Sequence, residues 1–170
     1  MQKQLIKWYQ ENKRDFPWRK DQDPYHIWIS EIMLQQTTTE TVIPYYNRFL
    51  KNFPNVEALA SASLEEVYKM WEGLGYYRRA KHIHESAQII LEKYQGVFPY
   101  EYDAILSLKG IGEYTAGAIS SIAYGKQVPA VDGNVLRIIS RYYLIKENIA
   151  ETKVQKKIYQ IVQELILNHD

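Results

Sequence analysis

The chain has 170 residues, no cysteine and a formal net charge of only +1, which excludes disulfide bonds, thiolate nucleophiles and a strongly basic nucleic-acid-binding surface. Its length suits one medium domain or two small lobes with a sizeable core. The first residues alternate charged and apolar side chains, as in an amphipathic helix, without the apolar run of a signal peptide or membrane span. We therefore expect an intracellular protein of the cytoplasm or nucleoid with no membrane partner.

Apolar residues recur at helical spacing almost throughout the chain, and strand-like alternation is rare. This pattern predicts an all-α fold of about nine or ten short helices. Ser63 and Glu66 have the spacing of a capping box, so we expect a helix to begin at Leu64 and to end before Gly73.

The first candidate for chemistry in chain order is Glu31. Ile27 and Trp28 lie one helical turn before it and Leu34 one turn after it, so the acid faces an apolar stripe. Desolvation there favours the protonated carboxyl, which is what a general acid requires. The alternative is an acid that reaches the rim of its helix or pairs with an arginine.

A weak internal repeat places the pattern Gly-apolar-Gly-x-Tyr at residues 73–77 and 110–114. Each glycine pair allows positive backbone torsions and lets the next helix begin with bare N–H groups, which suits a phosphate. The alternative is a simple helix–turn–helix corner. Backbone amides bind DNA without lysine or arginine, so the near-neutral charge is compatible with a DNA partner. The segment 116–121 predicts a thin helix that packs closely against its neighbours.

Aromatic and cationic side chains lie together at Trp18–Arg19 and in the segment 76–82. They could contact phosphates or insert between bases, and a solvated helix face explains the charges in 76–82 equally well. The four histidines show no spacing typical of a metal site, and no Walker or dinucleotide-binding motif is present.

Asp132 and Asn134 lie in a loop that enters a strongly periodic helix, so either could be its N-cap. A carboxylate beside a helix N-terminus stays ionised. Together with a protonated Glu31, Asp132 would form a pair of acids in contrasting environments, an arrangement that breaks glycosidic bonds.

Five segments in the correct order resemble the helix-hairpin-helix (HhH-GPD) DNA glycosylase superfamily, in particular its adenine-removing branch. They are FPWR at 16–19, SEIMLQQT at 30–37, GLGYYRRA at 73–80, LKGIGEYTAGAI at 108–119 and VDGNVLRIISR at 131–141. The resemblance implies two helical lobes with a DNA-binding cleft between them. Residues 17–123 would form a six-helix barrel with the hairpin, and residues 1–16 plus 124–170 the second lobe.

The resemblance also implies a reaction, the hydrolytic removal of adenine mispaired with 8-oxoguanine or guanine in double-stranded DNA, after the base is flipped out. Glu31 would protonate the adenine and later activate water. Asp132 would stabilise the sugar cation or bond to it transiently. Catalytic support would come from Tyr114 and Asn134, and contacts to DNA from Arg19, Leu34, Gln36, Tyr76, Arg78, Gly110 and Gly112. We expect a monomer.

Tyr114 separates branches of this family, because the endonuclease III branch has a lysine there, whose amine forms a Schiff base with the sugar. The resemblance therefore implies a monofunctional glycosylase without strand cleavage. A branch that removes thymine from a G·T mispair also carries tyrosine, so thymine is the alternative substrate, although the GLGYY and LQQT segments favour adenine.

Relatives continue into a four-cysteine segment that holds a 4Fe-4S cluster, and usually into a domain that recognises 8-oxoguanine. Neither segment is in this sequence. We therefore expect no cofactor here beyond a monovalent or calcium ion on main-chain oxygens of the Gly110 hairpin, and an incomplete second lobe. A second alternative follows, a DNA-binding module without catalysis.

Overall fold

The computed structural model describes residues 2–167, and every regular element in this range is helical. The helices are α1 (Gln2–Asn12), α2 (Pro24–Met33), α3 (Thr39–Asn52), α4 (Val56–Ser61), α5 (Leu64–Trp71), α6 (Arg78–Tyr94), α7 (Tyr102–Leu106), α8 (Glu113–Tyr124), α9 (Gly133–Tyr142) and α10 (Thr152–Leu167), with a short 3-10 turn at Pro17–Arg19. The all-α prediction is confirmed, and so is its number of helices within this range. None of these helices is both long enough and apolar enough to cross a membrane.

Local sequence signals account for several helix ends. The capping box is present, because Ser63 Oγ accepts from the Glu66 N–H at 3.2 Å and the Ser63 N–H donates to Glu66 Oε2 at 2.7 Å. Gly73, with φ +93°, follows the end of the same helix. The Asp23 side chain accepts from the Tyr25 N–H at 2.8 Å and Pro24 opens α2. These signals set where α2 begins, and α2 carries Glu31.

Helix α2 lies at the centre of the larger core. Eight of its ten residues are buried, and it packs against α3, α6 and α8. A helix that is apolar on nearly all sides is stable only when other helices surround it. The core around α2 includes the fully buried Trp28, Phe49 and Trp71.

A second, smaller cluster of buried side chains consists of Ile139, Val154 and Ile158, from α9 and α10. Helix α1 has no buried residue, and it borders an apolar groove with α9 and α10. The boundaries of the two predicted lobes stay a prediction, and residues 1 and 168–170 of the second lobe lie outside the described residues.

The thin helix is confirmed at Gly117 in α8. A Cβ atom at Gly117 would lie 2.1 Å from the Pro129 carbonyl oxygen and 3.3 Å from the Ala130 Cα. Helix α8 therefore packs directly on the backbone that leads to Asp132. This contact fixes the distance between the start of α9 and the helix that carries Tyr114.

We expect Gly117→Ala to lower the free energy of unfolding by about 1–3 kcal/mol, because the added methyl meets backbone that cannot rotate away. Gly133→Ala is the matched control, since a Cβ atom there has no neighbour within 4 Å and alanine is favoured over glycine in a helix. Urea denaturation of both variants measures the difference. Equal stabilities of the two variants would contradict the close packing.

Candidate active site

Glu31 is a buried carboxyl with one charged neighbour. It is 4% exposed, and its Oε1 accepts from Arg19 Nη2 at 3.0 Å. The acid lies in the apolar core of α2 and also pairs with an arginine, as the alternative interpretation described, and its role as a general acid stays a prediction. A buried carboxylate requires such a partner, since desolvation without one is strongly unfavourable. Arg19 itself lies in the 3-10 turn and is partly exposed.

Tyr114 lies in the first turn of α8, next to both candidate acids. Burial raises the pKa of the Tyr114 phenol, and the negative charges of Glu31 and Asp132 raise it further. Charges act this way over short distances, so the fold brings Glu31 of α2 close to Tyr114 and Asp132, which lie at the starts of the consecutive helices α8 and α9. The phenol stays protonated at neutral pH and is available as a hydrogen-bond donor.

Asp132 is the N-cap of α9, as the default interpretation predicted. Its Oδ1 accepts from the N–H groups of Asn134 at 3.0 Å and Val135 at 2.8 Å, and its Oδ2 accepts from Asn134 Nδ2 at 2.8 Å. Arg137 donates to Asn134 Oδ1 and so orients that amide. One carboxylate is thus held by three donors, in a half-buried position beside a helix N-terminus.

A cavity of about 500 Å³ opens beside Tyr114, among residues of α7, α8, α9 and α10. Tyr102, Glu113 and Tyr159 contribute polar groups to its wall. Burial raises the pKa of the Tyr102 phenol to about 12, with smaller contributions from Tyr159 and Glu113. No sequence motif indicated Tyr102 or Tyr159, because they meet only when α7 and α10 pack across the cavity.

The Gly110 hairpin joins α7 to α8. Gly110 has φ +78°, and a Cβ atom there would lie 2.9 Å from the Cβ of His82, so only glycine suits this close turn. Of the two glycines, only Gly110 uses the positive torsion that the pair allows, since Gly112 has φ −101° and ψ 178°. Gly112 is instead the N-cap of α8 and offers no side-chain cap, so the first N–H groups of α8 face outwards without a side-chain acceptor.

The remaining candidates lie on two neighbouring loops. Leu34 is half-buried, and Gln36, Tyr76 and Arg78 are exposed. Gln36 and Tyr76 are both in the left-handed region, with φ +58° and +49°.

Two aromatic or cationic residues differ from the sequence interpretation. Arg79 is 8% exposed, so the expectation that it contacts phosphate or solvent is wrong. Its guanidinium donates to backbone carbonyls, among them Gln35 at 2.6 Å and Gly75 at 3.3 Å. Trp18 is 2% exposed and belongs to the core, so it cannot insert between bases from this position.

The residues present do not fit an iron–sulfur cluster, because the chain contains no cysteine. Within residues 2–167, no group of three or more His, Asp or Glu side chains could hold a metal ion.

The fold and the site together define a helix-hairpin-helix protein with two carboxyls near one phenol. Residues 29–164 match the family described as HhH-GPD superfamily base excision DNA repair protein. The chain belongs to this family.

Known relatives extend the comparison. The chain is 46% identical to an adenine DNA glycosylase of Buchnera aphidicola subsp. Acyrthosiphon pisum, over 98% of this chain and 48% of that protein. It is 42% identical to an adenine DNA glycosylase of Homo sapiens, over 95% of this chain and 31% of that protein. A solved structure of a thermostable thymine-DNA glycosylase matches with a TM-score of 0.87 and 31% identity, over 96% of this chain and 75% of that one. The chain thus spans about half the length of the Buchnera relative.

Asp132→Ala should lower the free energy of unfolding by about 1 kcal/mol, because α9 loses its N-cap acceptor. Asp132→Asn should retain most of this stability, since its amide oxygen still accepts the same N–H groups. Chemical denaturation of the two variants measures the capping contribution separately from the charge. If the alanine variant is as stable as the asparagine variant, the cap contributes nothing.

Proposed function

We propose that this chain is the catalytic core of a base-excision-repair adenine DNA glycosylase. Its reaction is hydrolysis of the N-glycosidic bond of adenine mispaired with 8-oxoguanine or guanine. The observation that carries the proposal is the meeting of a buried acid, Glu31, and a capped carboxylate, Asp132, at Tyr114. The identity to adenine glycosylases over nearly the whole chain supports adenine as the base.

Glu31 is the proton donor in this mechanism. Arg19 donates to its Oε1, and the Tyr114 phenol also hydrogen-bonds its carboxyl group, so both neighbours orient the acid toward the substrate. The Glu31 carboxylate takes up a proton from solvent before the bond breaks, and this proton passes to the flipped adenine, so the base leaves as a neutral molecule when its bond to C1′ breaks. The resulting carboxylate then takes a proton from the water whose oxygen bonds to C1′, and the acid returns to its starting state.

Asp132 is the anion that faces the sugar cation. Three donors orient its carboxylate, so no rearrangement is needed when positive charge develops on the sugar. Tyr114 and Asn134 support this geometry, the first between the two acids and the second through its amide contact with Asp132.

The partner is double-stranded DNA in an intracellular setting. The uncapped N–H groups at the start of α8 would bind a backbone phosphate, which explains how a chain of net charge +1 binds DNA. The Leu108 carbonyl accepts only a long 3.3 Å hydrogen bond from Ile111, so it retains a lone pair for a monovalent or calcium ion beside that phosphate. The protein acts as a monomer.

Removal of thymine from a G·T mispair is the second candidate function, because the likeness to a thymine-DNA glycosylase covers nearly the whole chain. Base release from matched duplexes that contain A or T opposite guanine separates the two. Thymine release that exceeds adenine release would replace the first proposal by the second.

We expect the parent chain to release adenine in a single turnover from a duplex with A opposite 8-oxoguanine. Glu31→Gln and Asp132→Asn should each reduce the rate by at least about 100-fold, since one removes the proton donor and the other the anion. Arg48→Lys is the folded control, with a rate close to that of the parent, because Arg48 donates to the carbonyls of Met70 and Glu72, away from both acids. A folded, DNA-binding parent that releases no base would leave the non-catalytic module as the correct description.

Tyr114 also determines what the chain cannot do. A phenol does not form a Schiff base with the sugar, so borohydride should trap no stoichiometric covalent adduct of the parent with its DNA. Tyr114→Lys introduces an amine that can attack C1′, and we expect it to yield a trapped adduct, whereas Tyr114→Phe should not. A stoichiometric adduct with the parent would contradict the monofunctional assignment.

A further inference from the structure

Arg79 is buried at the start of α6, between the loop at 34–37 and the loop at 73–77. Only 8% of its surface is exposed, and no carboxylate among the described residues pairs with it. A buried cation is tolerated only where other polar groups replace water. Backbone carbonyls from both loops supply that replacement.

In the first loop, the contacts lie at the end of α2. Arg79 Nη1 lies 3.0 Å from the Ile32 carbonyl oxygen, 2.8 Å from that of Met33 and 2.6 Å from that of Gln35. The last carbonyls of a helix lack partners within the helix and carry the negative end of its dipole. The guanidinium thus binds the last carbonyls of α2 and also the carbonyl of Gln35, the residue before Gln36.

The contacts to the second loop are made through the other nitrogen. Arg79 Nη2 lies 3.3 Å from the Gly75 carbonyl oxygen and 3.5 Å from that of Leu74, and also 3.3 Å from Thr37 Oγ1. The guanidinium carbon lies 5.3 Å from the centroid of the Tyr76 ring, within range of a cation–π contact. The Tyr76 side chain is nevertheless 62% exposed, so it is held near the guanidinium while remaining open to solvent.

Gln36 and Tyr76 have unusual backbone conformations for non-glycine residues. Both lie in the left-handed region, which such residues occupy only where the surrounding structure imposes it. In both loops, the carbonyl immediately before the left-handed residue is bonded to Arg79. Arg79 therefore contacts the backbone before both of these residues, and at Gly75 it acts together with Trp71 Nε1, which donates to the same carbonyl at 3.0 Å.

We infer that Arg79 is a positioning residue that sets Gln36 and Tyr76 in a fixed relation to each other, and thereby determines how the protein distinguishes the base opposite the excised one. This inference rests on the proposed function and on the family resemblance, which implies that Gln36 and Tyr76 contact or insert beside the lesion-bearing partner base. Lysine cannot replace the arginine, because one ammonium nitrogen cannot span carbonyls of two loops as a planar guanidinium does.

The test compares Arg79→Lys with the parent on two duplexes, one with adenine opposite 8-oxoguanine and one with adenine opposite an abasic site. We expect the ratio of the two single-turnover rates to fall by about tenfold, while the rate opposite the abasic site stays within about twofold of the parent. Thr37→Val removes one weaker acceptor of the same guanidinium and should lower the ratio in the same direction by a smaller factor. It serves as the test variant if Arg79→Lys does not fold.

Arg48→Lys is the matched control. Arg48 also donates to backbone carbonyls, to Met70 at 2.9 Å and Glu72 at 3.5 Å, but it lies outside the two loops. Its variant should keep the parental ratio. Equal rate losses of Arg79→Lys on both duplexes would mean that Arg79 acts only on stability, and would overturn the inference.

A second measurement separates this inference from the proposed function. If the parent releases no adenine, the proposed function fails, and fluorescence anisotropy then compares its affinity for the same two duplexes. Loss of the affinity difference in Arg79→Lys, with its retention in Arg48→Lys, would support the inference without catalysis. A parent that binds both duplexes equally, or an Arg79→Lys variant that keeps the difference, would overturn it.

Discussion

The burial of α2 is the constraint on which the rest of the molecule depends. Because neighbouring helices cover it on nearly all sides, its polar groups need partners inside the protein, and among its buried side chains the Trp28 Nε1 group has none. Glu31 meets this requirement through Arg19, and the last carbonyls of the helix meet it through Arg79. The candidate acid and the loop at 34–37 are thus attached to the middle and the end of one buried helix, which fixes their relative position.

The close packing of α8 at Gly117 is a second constraint, and it positions Asp132. Gly117 lets α8 touch the backbone at Pro129, three residues before Asp132. The same helix carries Tyr114 in its first turn and packs on α2. A small residue in the middle of α8 therefore controls how closely the capped carboxylate approaches the buried acid. The negative charges of Glu31 and Asp132 both raise the pKa of the Tyr114 phenol. The packing that sets the positions of the two acids therefore also affects this pKa.

The low net charge is compatible with this architecture. The 21 lysines and arginines are almost balanced by 20 acids, and two of the cations serve the interior, Arg79 as a buried donor and Arg19 beside a buried acid. A hairpin that presents backbone amides needs few surface cations to approach a polyanion.

Local signals in the sequence were sufficient for the helices and their caps. The capping box at Ser63 and the N-cap at Asp132 involve residues two or three positions apart, so the residue pattern alone specifies them. The motifs at Glu31, Tyr114 and Asp132 also identified the family.

The sequence pattern could not distinguish the torsions of Gly110 from those of Gly112, because glycine allows several backbone conformations. Packing against His82 determines the conformation of Gly110, and the start of α8 determines that of Gly112. The burial of Arg79 was equally inaccessible, since the carbonyls of α2 that receive its hydrogen bonds lie more than forty positions away in the chain. Contacts between residues so far apart form only when the helices pack, and the tertiary structure alone therefore decided that this arginine faces the backbone of two loops instead of solvent.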